Sequence, residues 1–400
     1  MQVAQRSNVP PFHVMDLLAA AHRRQVSHDD LVNFVAGQPS TGAPRAVREE
    51  AKRLLDQGPL GYTVATGIPG LREAVAAHHR RTTGIDITLD DVVITTGSSG
   101  GFLLAFLAAF EPGDRIVMAR PGYPCYRNVL TALGCEVVEI DCGPETRFQP
   151  TVDRLEAVPG PVAGLVVASP ANPTGTMLLP DELDAIARWC EESHVRLVSD
   201  EIYHGITYGP AEPGPSSPAA APGHQHRSAW HTSRTGVVFG SFSKYFSMTG
   251  WRLGWMLVPE DLRRPVDVLA GNFTICPPVL SQYAAIAAFT PEPYAELDGH
   301  VARYATNRAL LLDRLPLLGI DRLAPADGAF YVYADIGHLT DDSYAWCLGL
   351  LDDTGVATAP GIDFDTSRGN EFVRFSFAGS AAEIIEGLDR LGSWLGQRSR

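Results

Sequence analysis

The order of strand-like and helix-like segments between residues 92 and 258 restricts the fold more than any other feature of the sequence. Short runs rich in β-branched residues alternate there with stretches of helical pattern, including predicted helices at 98–110 and 180–193. Such an order indicates βαβ units and a mostly parallel central sheet flanked by helices. We predict an α/β fold whose large domain spans residues 45–285. The predicted strands are Val92–Thr95, 115–119, 136–140, 165–168, 195–199, 237–240 and 252–258.

The two ends of the chain differ from the middle in their pattern of helices and strands, which predicts a second, smaller domain. Long helical stretches dominate from about residue 291, with predicted strands near 329–334 and 373–377. We predict a small α+β domain built from residues 1–44 and 286–400. Residues 209–224 are rich in Pro, Ala, Gly and Ser, which is typical of a surface loop.

Composition and charge disfavour several classes of protein. The net charge of -14 disfavours a broad surface for nucleic acid or for an anionic membrane. The longest apolar run, 102–110, is too short to cross a bilayer, and no signal segment is visible at the N-terminus. Six cysteines without C-x-x-C spacing indicate reduced thiols, so we expect a cytoplasmic protein. The histidine pairs at 78–79 and 224–226 do not indicate a metal site, and none is predicted.

Glycine-rich and polar strings directly follow five of the predicted strands. In an open α/β sheet, ligands bind at the carboxyl ends of the strands. Ordinary loops need only residues such as Gly, Pro and Ser, whereas these strings also carry Tyr, Asn, Asp and Lys. We expect the five strings to converge on one pocket. They are T-T-G-S-S-G, P-G-Y-P-C-Y, S-P-A-N-P-T-G, D-E-I-Y and S-F-S-K.

The chain contains only two lysines, Lys52 and Lys244, although lysine is normally among the commonest residues. Lys52 lies in R-E-E-A-K-R-L-L-D, which has the pattern of an exposed helical face. Lys244 lies just after a predicted strand, in S-F-S-K-Y-F-S-M-T-G-W-R-L-G-W. Arginine stays protonated in proteins, whereas lysine can lose its proton and attack a carbonyl carbon. Lys244 is therefore a candidate Schiff-base residue.

Three strings are specific when they occur together: S-P-A-N-P-T-G, S-D-E-I-Y and S-x-S-K-x-x-x-M-x-G-W-R-L-G. In this order they resemble the class I/II aminotransferases of fold type I, which use pyridoxal phosphate. The resemblance covers residues 33–379 and extends to an actinobacterial branch called aspartate or valine–pyruvate aminotransferases. It implies a homodimeric enzyme that moves an amino group between an amino acid and a 2-oxo acid by a ping-pong mechanism.

The resemblance also assigns roles around the cofactor ring. Lys244 would hold the cofactor and then carry a proton between substrate and cofactor carbon atoms. Asp200 would pair with the protonated pyridine nitrogen, and a carboxylate at the end of a buried strand needs such a partner. Tyr203 and Asn172 would donate hydrogen bonds to the phenolate oxygen, and Tyr123 would stack on the ring.

Further residues are assigned to the cofactor phosphate by the same resemblance. The backbone N–H groups of Ser98 and Ser99 open a predicted helix, where the helix dipole favours an anion. Ser241 and Arg252 would complete this cradle. Tyr62, in G-Y-T-V-A-T-G-I-P-G, resembles the tyrosine that reaches the phosphate of the neighbouring subunit. The active sites of the homodimer would then be shared.

The substrate carboxylate is assigned to Arg374, which lies in the apolar run F-V-R-F-S-F. A buried arginine needs an anion, and its planar fork matches a carboxylate at two points. Gly37 would let the backbone approach the same substrate, and Asn172 would contact it as well.

An acidic substrate needs a further cation for its second carboxylate. The segments 98–110 and 10–20 contain no lysine or arginine. We therefore expect a neutral aliphatic amino donor, such as valine or alanine, with pyruvate as an acceptor. Arg127, or an arginine of the second subunit, could still admit aspartate with 2-oxoglutarate.

Other functions are compatible with parts of the sequence. Residues 97–101 match G-x-S-x-G, so a serine hydrolase could use Ser99 with Asp200 and His231. A lyase of the same fold would share the Lys, Asp and Arg residues, because a fold does not determine a reaction. A cofactor-binding regulator would need a DNA-binding segment, for which the N-terminal region leaves no room.

Overall fold

Helices and strands alternate through the middle of the chain. A computed structural model describes residues 2–208 and 226–398, so the predicted loop at 209–224 lies outside the described residues. The helices of the described residues, 3₁₀ turns aside, are α1 (His13–His28), α2 (Arg45–Asp56), α3 (Pro69–Thr83), α4 (Gly97–Ala109), α5 (Pro124–Leu133), α6 (Val152–Glu156), α7 (Pro180–Glu192), α8 (Glu260–Phe273), α9 (Val279–Ala285), α10 (Pro291–Leu317), α11 (Ser343–Thr354) and α12 (Ala381–Arg398). The strands are β1 (Val32–Asn33), β2 (Val92–Thr95), β3 (Arg115–Arg120), β4 (Glu136–Asp141), β5 (Gly164–Ala168), β6 (Arg196–Asp200), β7 (Val237–Ser241), β8 (Gly254–Leu257), β9 (Tyr331–Asp335), β10 (Val356–Ala357), β11 (Ala359–Pro360) and β12 (Phe372–Ser376).

Seven strands form one sheet in the order β2-β8-β7-β6-β5-β3-β4. Strand β8 runs antiparallel to β2 and β7, and the remaining neighbouring pairs are parallel. The central strands β5, β6 and β7 are buried almost throughout, as expected when helices cover both faces of a sheet. The predicted α/β fold with a mostly parallel sheet is confirmed.

Most predicted strands of this sheet agree with the observed bounds to within one residue. The exception is the predicted strand at 252–258, because β8 begins only at Gly254. Arg252 follows a 3₁₀ turn and has a φ of 54°, in the left-handed region that interrupts a strand. This turn directs the Arg252 guanidinium toward the start of α4, where a Cβ added at Gly97 would lie 2.5 Å from its Nη2.

The turn from β2 into α4 holds the start of that helix at the edge of the sheet. Gly97 has a φ of 67°, which glycine adopts without the strain of a side chain. Further along, Phe102 and Phe106 are fully buried, and the Phe102 ring centroid lies 4.1 Å from that of Phe239 in β7. Because the first N–H groups of a helix lack partners within it, this packing presents free donors at the strand ends.

A second, smaller sheet forms from the C-terminal part of the chain. It is antiparallel, in the order β11-β12-β9, and confirms strands near both predicted positions. Strand β1 pairs with β10, with Val32 opposite Val356, so the N-terminal segment joins the C-terminal part. This pairing supports a small domain of residues 1–44 and 286–400, and the domain boundaries themselves stay a prediction.

Helix α10 has 27 residues and packs against α12. It carries charged residues along its length, which suits a helix with one face in water. Within residues 2–208 and 226–398, no helix combines the length and the apolar character needed to cross a membrane.

Candidate active site

A cavity of about 250 Å³ lies at the carboxyl ends of the parallel strands. It receives the segments that follow β2, β3, β5, β6 and β7, so the predicted convergence of five strings is observed. All but two of the residues predicted for the site line it. Those that do are Gly37, Ser98, Ser99, Tyr123, Asn172, Asp200, Tyr203, Lys244, Arg252 and Arg374.

Lys244 lies three residues past the end of β7, and its ammonium group points into the cavity. The Nζ atom donates a hydrogen bond to the carbonyl oxygen of Gly37 at 2.5 Å and lies 5.2 Å from the centroid of the Tyr203 ring. Burial, together with the positive charges of Arg374 and Arg252, lowers the pKa of Lys244 to about 8, although the charge of Asp200 acts in the opposite direction. The amine is thereby brought closer to the neutral form that attacks carbonyl groups.

Asp200 ends β6 and is 3% exposed. The phenol of Tyr126 donates a hydrogen bond to its Oδ2, and the N–H of Ile202 donates to its Oδ1 at 3.1 Å. Burial raises the pKa of Asp200 to about 6, although both donors and the charge of Lys244 act in the opposite direction. A buried carboxylate in this position is suited to pair with a cationic ring nitrogen.

Arg374 projects from the middle of β12 into the same cavity. Its Nη1 donates to Oδ1 of Asn172 at 2.8 Å and its Nη2 to the carbonyl oxygen of Val35 at 2.7 Å. Its Cζ lies 4.4 Å from the ring centroid of Tyr331 and 4.9 Å from that of Phe364. Among the described residues, its hydrogen bonds go to neutral acceptors and its buried Nε has no acceptor. The guanidinium can therefore accept a carboxylate of a ligand.

Tyr331 organises the residues around Gly37. A Cβ added at Gly37 would lie 2.8 Å from Tyr331 Oη, so a side chain does not fit there. The hydroxyl groups of Tyr331 and Tyr203 are 2.7 Å apart and share a hydrogen bond. Tyr203, predicted to donate to a cofactor oxygen, therefore has Tyr331 as its partner here. Its role toward the cofactor stays a prediction.

The start of α4 and the Arg252 side chain form a positive pocket on the other side of the cavity. Ser98 and Ser99 occupy the first turn of the helix, which contains no acidic residue. Arg252 is held by a hydrogen bond from Nη1 to the carbonyl oxygen of Thr249 at 3.1 Å. Free N–H donors, a helix dipole and a guanidinium together favour a phosphate.

Two predicted site residues do not line the cavity. Ser241 is buried and its Oγ accepts a hydrogen bond from the N–H of Ser243 at 3.0 Å, so that Ser243 faces the cavity instead. Tyr62 is 83% exposed and lies outside the cavity of this chain. Its predicted reach into a neighbouring subunit requires such exposure and stays a prediction.

The sequence did not indicate every lining residue. Tyr126 lies three residues after Tyr123, one turn along α5, and this spacing could have suggested a common face. Tyr331 was placed in a predicted strand but not in the site. Helix α1 adds an apolar wall that no local signal connects to the cavity. Its residues are Phe12, which precedes the helix, and Val14, Met15 and Leu18.

The hydrolase alternative is wrong. Ser99 and Asp200 line the cavity, but His231 does not. The His231 ring is bonded elsewhere, with Nε2 2.9 Å from the carbonyl oxygen of Thr83 and Nδ1 3.0 Å from that of Ser228. Ser99, Asp200 and His231 are therefore not assembled as a nucleophile, orienting acid and base.

Comparison with known proteins agrees with this geometry. The family model of the class I and II aminotransferases matches residues 29–391. A valine–pyruvate aminotransferase of Mycobacterium tuberculosis is 63% identical over 394 residues, which cover 98% of each chain. An aspartate/prephenate aminotransferase of Thermus thermophilus is 34% identical, and the match covers 92% of each chain. The crystal structure of an aminotransferase from Mycobacterium tuberculosis superposes with a TM-score of 0.94 at 62% identity, covering 99% of this chain and 100% of that chain.

The cavity fits pyridoxal phosphate, the cofactor of this family. The α4 pocket with Arg252 suits its phosphate, the buried carboxylate of Asp200 suits its ring nitrogen, and the amine of Lys244 suits its aldehyde. The unpaired Nε of Arg374 leaves a donor for the carboxylate of an amino acid. The chain therefore belongs to the class I and II aminotransferases and is a pyridoxal-phosphate-dependent transferase.

Proposed function

We propose that the chain moves the amino group of a neutral aliphatic amino acid, such as valine or alanine, to a 2-oxo acid such as pyruvate. The observation that carries this proposal is the apolar wall of Phe12, Val14, Met15 and Leu18. Such a wall stabilises an aliphatic side chain by removing its surface from water. The relative with 63% identity, which is named a valine–pyruvate aminotransferase, supports the same choice.

The cations of the cavity leave no charge for a second substrate carboxylate. Among its described lining residues they are Lys244, Arg252 and Arg374. Arg252 lies beside the phosphate pocket and Arg374 is placed for the α-carboxylate. Lys244 is needed at the reacting carbon. The acidic side chain of a substrate would therefore be buried without a cation, which is unfavourable in free energy.

Arg127, the further cation considered for an acidic substrate, is engaged outside the cavity. Its Nη1 pairs with Oε1 of Glu139 at 3.0 Å, and its Nη2 donates to the carbonyl oxygen of Asp363 at 3.2 Å. The relative named an aspartate/prephenate aminotransferase is also more distant, at 34% identity. Both observations favour a neutral donor over aspartate with 2-oxoglutarate.

The residues of the cavity divide the work of transamination. Pyridoxal phosphate supplies an aldehyde that condenses with amines and a ring that withdraws electrons from the substrate Cα. We infer that Arg374 binds the α-carboxylate and orients the Cα–H bond toward Lys244. With the cofactor bound, the Lys244 amine would be the base that accepts the proton from the substrate Cα and, as the ammonium, the acid that gives it back. Its lowered pKa of about 8 increases the fraction of free amine near neutral pH.

The surrounding groups hold the reacting atoms in place. The Asp200 carboxylate would keep a proton on the ring nitrogen of the bound cofactor, and Tyr126 orients that carboxylate. The N–H groups of Ser98 and Ser99, with Arg252, would hold its phosphate. The apolar wall of α1 excludes water from the proton transfer.

A direct test is an assay that follows nitrogen transfer from valine to pyruvate by chromatography of the alanine formed. The purified enzyme is compared with Lys244→Ala and with Lys52→Ala, which removes the other lysine of the chain. We expect Lys52→Ala to retain activity and Lys244→Ala to lose it by a factor of at least about a hundred. A higher kcat/KM for aspartate with 2-oxoglutarate than for valine with pyruvate would contradict the proposal.

We infer that the enzyme is a homodimer with shared active sites. A patch of exposed apolar residues, here called the 60–64/273–275 patch, combines two segments of the chain. The two segments are neighbours, because a Cβ added at Gly271 would lie 3.8 Å from Cβ of Ala65. Apolar patches of this kind mark surfaces for protein partners. The patch consists of Leu60, Tyr62, Val64, Phe273 and Ile275.

We also infer a cytoplasmic location. The six cysteines form no disulfide with one another in the described residues. Unpaired thiols are typical of proteins in reducing compartments.

A further inference from the structure

Helix α1, which supplies the apolar wall, has no capping side chain at its own N-terminus. Its N-cap residue is Phe12, whose side chain makes no cap hydrogen bond. The carboxylate of Asp363 takes this place, accepting from the N–H of His13 at 2.9 Å and from that of Val14 at 2.7 Å. A carboxylate at a helix N-terminus satisfies free donors and interacts favourably with the dipole. Because Asp363 is 3% exposed, water does not compete for these bonds.

The element that carries Asp363 is tied to the arginine of the substrate site. Asp363 ends the 3₁₀ turn Gly361–Asp363, which follows β11. Strand β11 pairs with β12, with Ala359 opposite Arg374. The next residue, Phe364, packs against the guanidinium of Arg374, with 4.9 Å between its ring centroid and Cζ. Asp363 thus contacts the start of α1, which carries the apolar wall. Its neighbour Phe364 contacts Arg374, the arginine assigned to the substrate carboxylate.

The turn at Gly361–Asp363 has little freedom to move. A Cβ added at Gly361 would lie 2.5 Å from the carbonyl oxygen of Gly369 and 2.7 Å from that of Phe372. On the other side, the N–H of Gly122 donates to the carbonyl oxygen of Phe364 at 2.8 Å. Asp363 is therefore presented from a rigid support, as a group that fixes geometry should be.

We propose that Asp363 is a positioning residue for substrate selection. By capping α1 it holds Met15 and Leu18 at a fixed distance from Arg374, and this distance sets the size of the aliphatic side chain that fits between them. This inference rests on the neutral-substrate function proposed above. Without the cap, the first turn of α1 becomes mobile and the wall recedes. The groups around the phosphate and the ring nitrogen lie on other elements and keep their positions.

The test compares Asp363→Ala and Asp363→Asn with the unchanged holoenzyme. Asp16→Ala is the matched control, because Asp16 lies in the first turn of α1 but has a side chain that is 60% exposed and outside the cavity. Valine or alanine is added without acceptor, and the loss of the visible cofactor band gives an apparent dissociation constant and a maximal rate. The affinity for added cofactor is measured in each variant.

For Asp363→Ala we expect the apparent dissociation constant for valine to rise about fivefold to tenfold, the factor that the loss of a helix cap corresponds to. The constant for alanine, which reaches the wall less, changes less than about twofold. The maximal rates and the cofactor affinity stay within about twofold, and Asp16→Ala behaves like the parent. Asp363→Asn keeps one acceptor oxygen, so its dissociation constant for valine should lie between those of the parent and of Asp363→Ala. This variant provides the test if Asp363→Ala does not fold.

Amide hydrogen exchange separates this inference from the proposed function. In Asp363→Ala, the amides of residues 13–18 should exchange faster, whichever amino acid the enzyme prefers. Equal losses for valine and alanine, or unchanged exchange at 13–18, would overturn the role of Asp363. A parent enzyme that reacts with aspartate instead of valine would overturn the substrate class while the exchange result still decides whether Asp363 holds α1.

Discussion

At the scale of single residues, burial sets the chemistry of the site. The pKa of Lys244 is lowered to about 8 and that of Asp200 is raised to about 6, because burial disfavours the charged form of each. Each group therefore changes its protonation state close to neutral pH. The hydrogen-bond partners of Arg374, Asn172 and the carbonyl of Val35, are neutral, so no carboxylate of the described residues occupies its donors.

The lowered pKa of Lys244 predicts a pH dependence in the cofactor-free enzyme. As the pH rises through about 8, the amine loses its proton and becomes able to react. Reductive methylation with formaldehyde should therefore modify Lys244 with a midpoint near pH 8, measured by peptide mass spectrometry. Exposed Lys52, in the same sample, reports the intrinsic behaviour of the reagent. A midpoint above about pH 10, the range of an ordinary lysine, would be inconsistent with the buried environment.

Tyr126 predicts a second effect of pH. Its hydrogen bond lowers the pKa of Asp200, so Tyr126→Phe should raise that pKa further and move the acid limb of kcat/KM to higher pH. A lost bond to a charged group lowers kcat/KM at neutral pH by about tenfold. Tyr208→Phe is the control, since the Tyr208 hydroxyl is also buried but donates to the carbonyl oxygen of Ala329. An acid limb that does not move in Tyr126→Phe would exclude this role.

Site residues whose type is unusual for their surroundings could be recognised from the sequence. Lys244 stands out in a chain with two lysines, and Arg374 stands out in an apolar strand. Tyr331 could not be recognised, because a tyrosine in a buried strand is an ordinary core residue, and Tyr126 is indicated only by its spacing from Tyr123. Their roles come from hydroxyl groups whose partners are far apart in the sequence.

At the scale of elements, close backbone packing decides where side chains fit. Strands of the central sheet were predicted well because fully buried strands leave continuous apolar runs. The start of β8 was predicted wrongly because the left-handed φ of Arg252 has no signature in the sequence. The contribution of α1 to the cavity could not be predicted, since its contact with Asp363 spans about 350 residues.

The packing of β7 against β8 predicts a strong effect of a small substitution. A Cβ added at Gly240 would lie 2.0 Å from Cε2 of Trp255, a side chain held by a hydrogen bond to His79 at 2.9 Å. Gly240→Ala should therefore lower the free energy of unfolding by about 1–3 kcal/mol, measured by denaturant titration. Gly299→Ala, in the middle of α10 with no atom near its added Cβ, should be neutral or stabilising. Equal stability of the two variants would contradict the described packing.

At the scale of the whole molecule, both ends of the chain contribute to the substrate side of the site. Strand β1 joins β10, and α1 reaches the turn before β12, so residues near positions 12 and 374 share one cavity. This arrangement agrees with a small domain formed by both termini. The 60–64/273–275 patch lies on other segments, and we propose that it binds a second subunit.

The patch predicts that the enzyme is a dimer in solution. Phe273 is 54% exposed, so Phe273→Asp should leave the folded chain intact but place a charge in the interface. Sedimentation velocity should detect a dimer for the parent and a larger monomer fraction for the variant, with lower activity on dilution. Leu317→Asp, at an exposed leucine outside the patch, should not change the association. A parent enzyme that sediments as an active monomer would contradict shared active sites.

The most direct measurement for the whole account is the first half-reaction. The purified holoenzyme is mixed with valine, alanine or aspartate in the absence of an acceptor, and the visible cofactor band is followed. We predict rapid loss of the band with valine and alanine, little change with aspartate, and no such band in Lys244→Ala. Loss of the band chiefly with aspartate would contradict the neutral-substrate proposal. A parent protein that remains colourless after addition of the cofactor would contradict the role of Lys244.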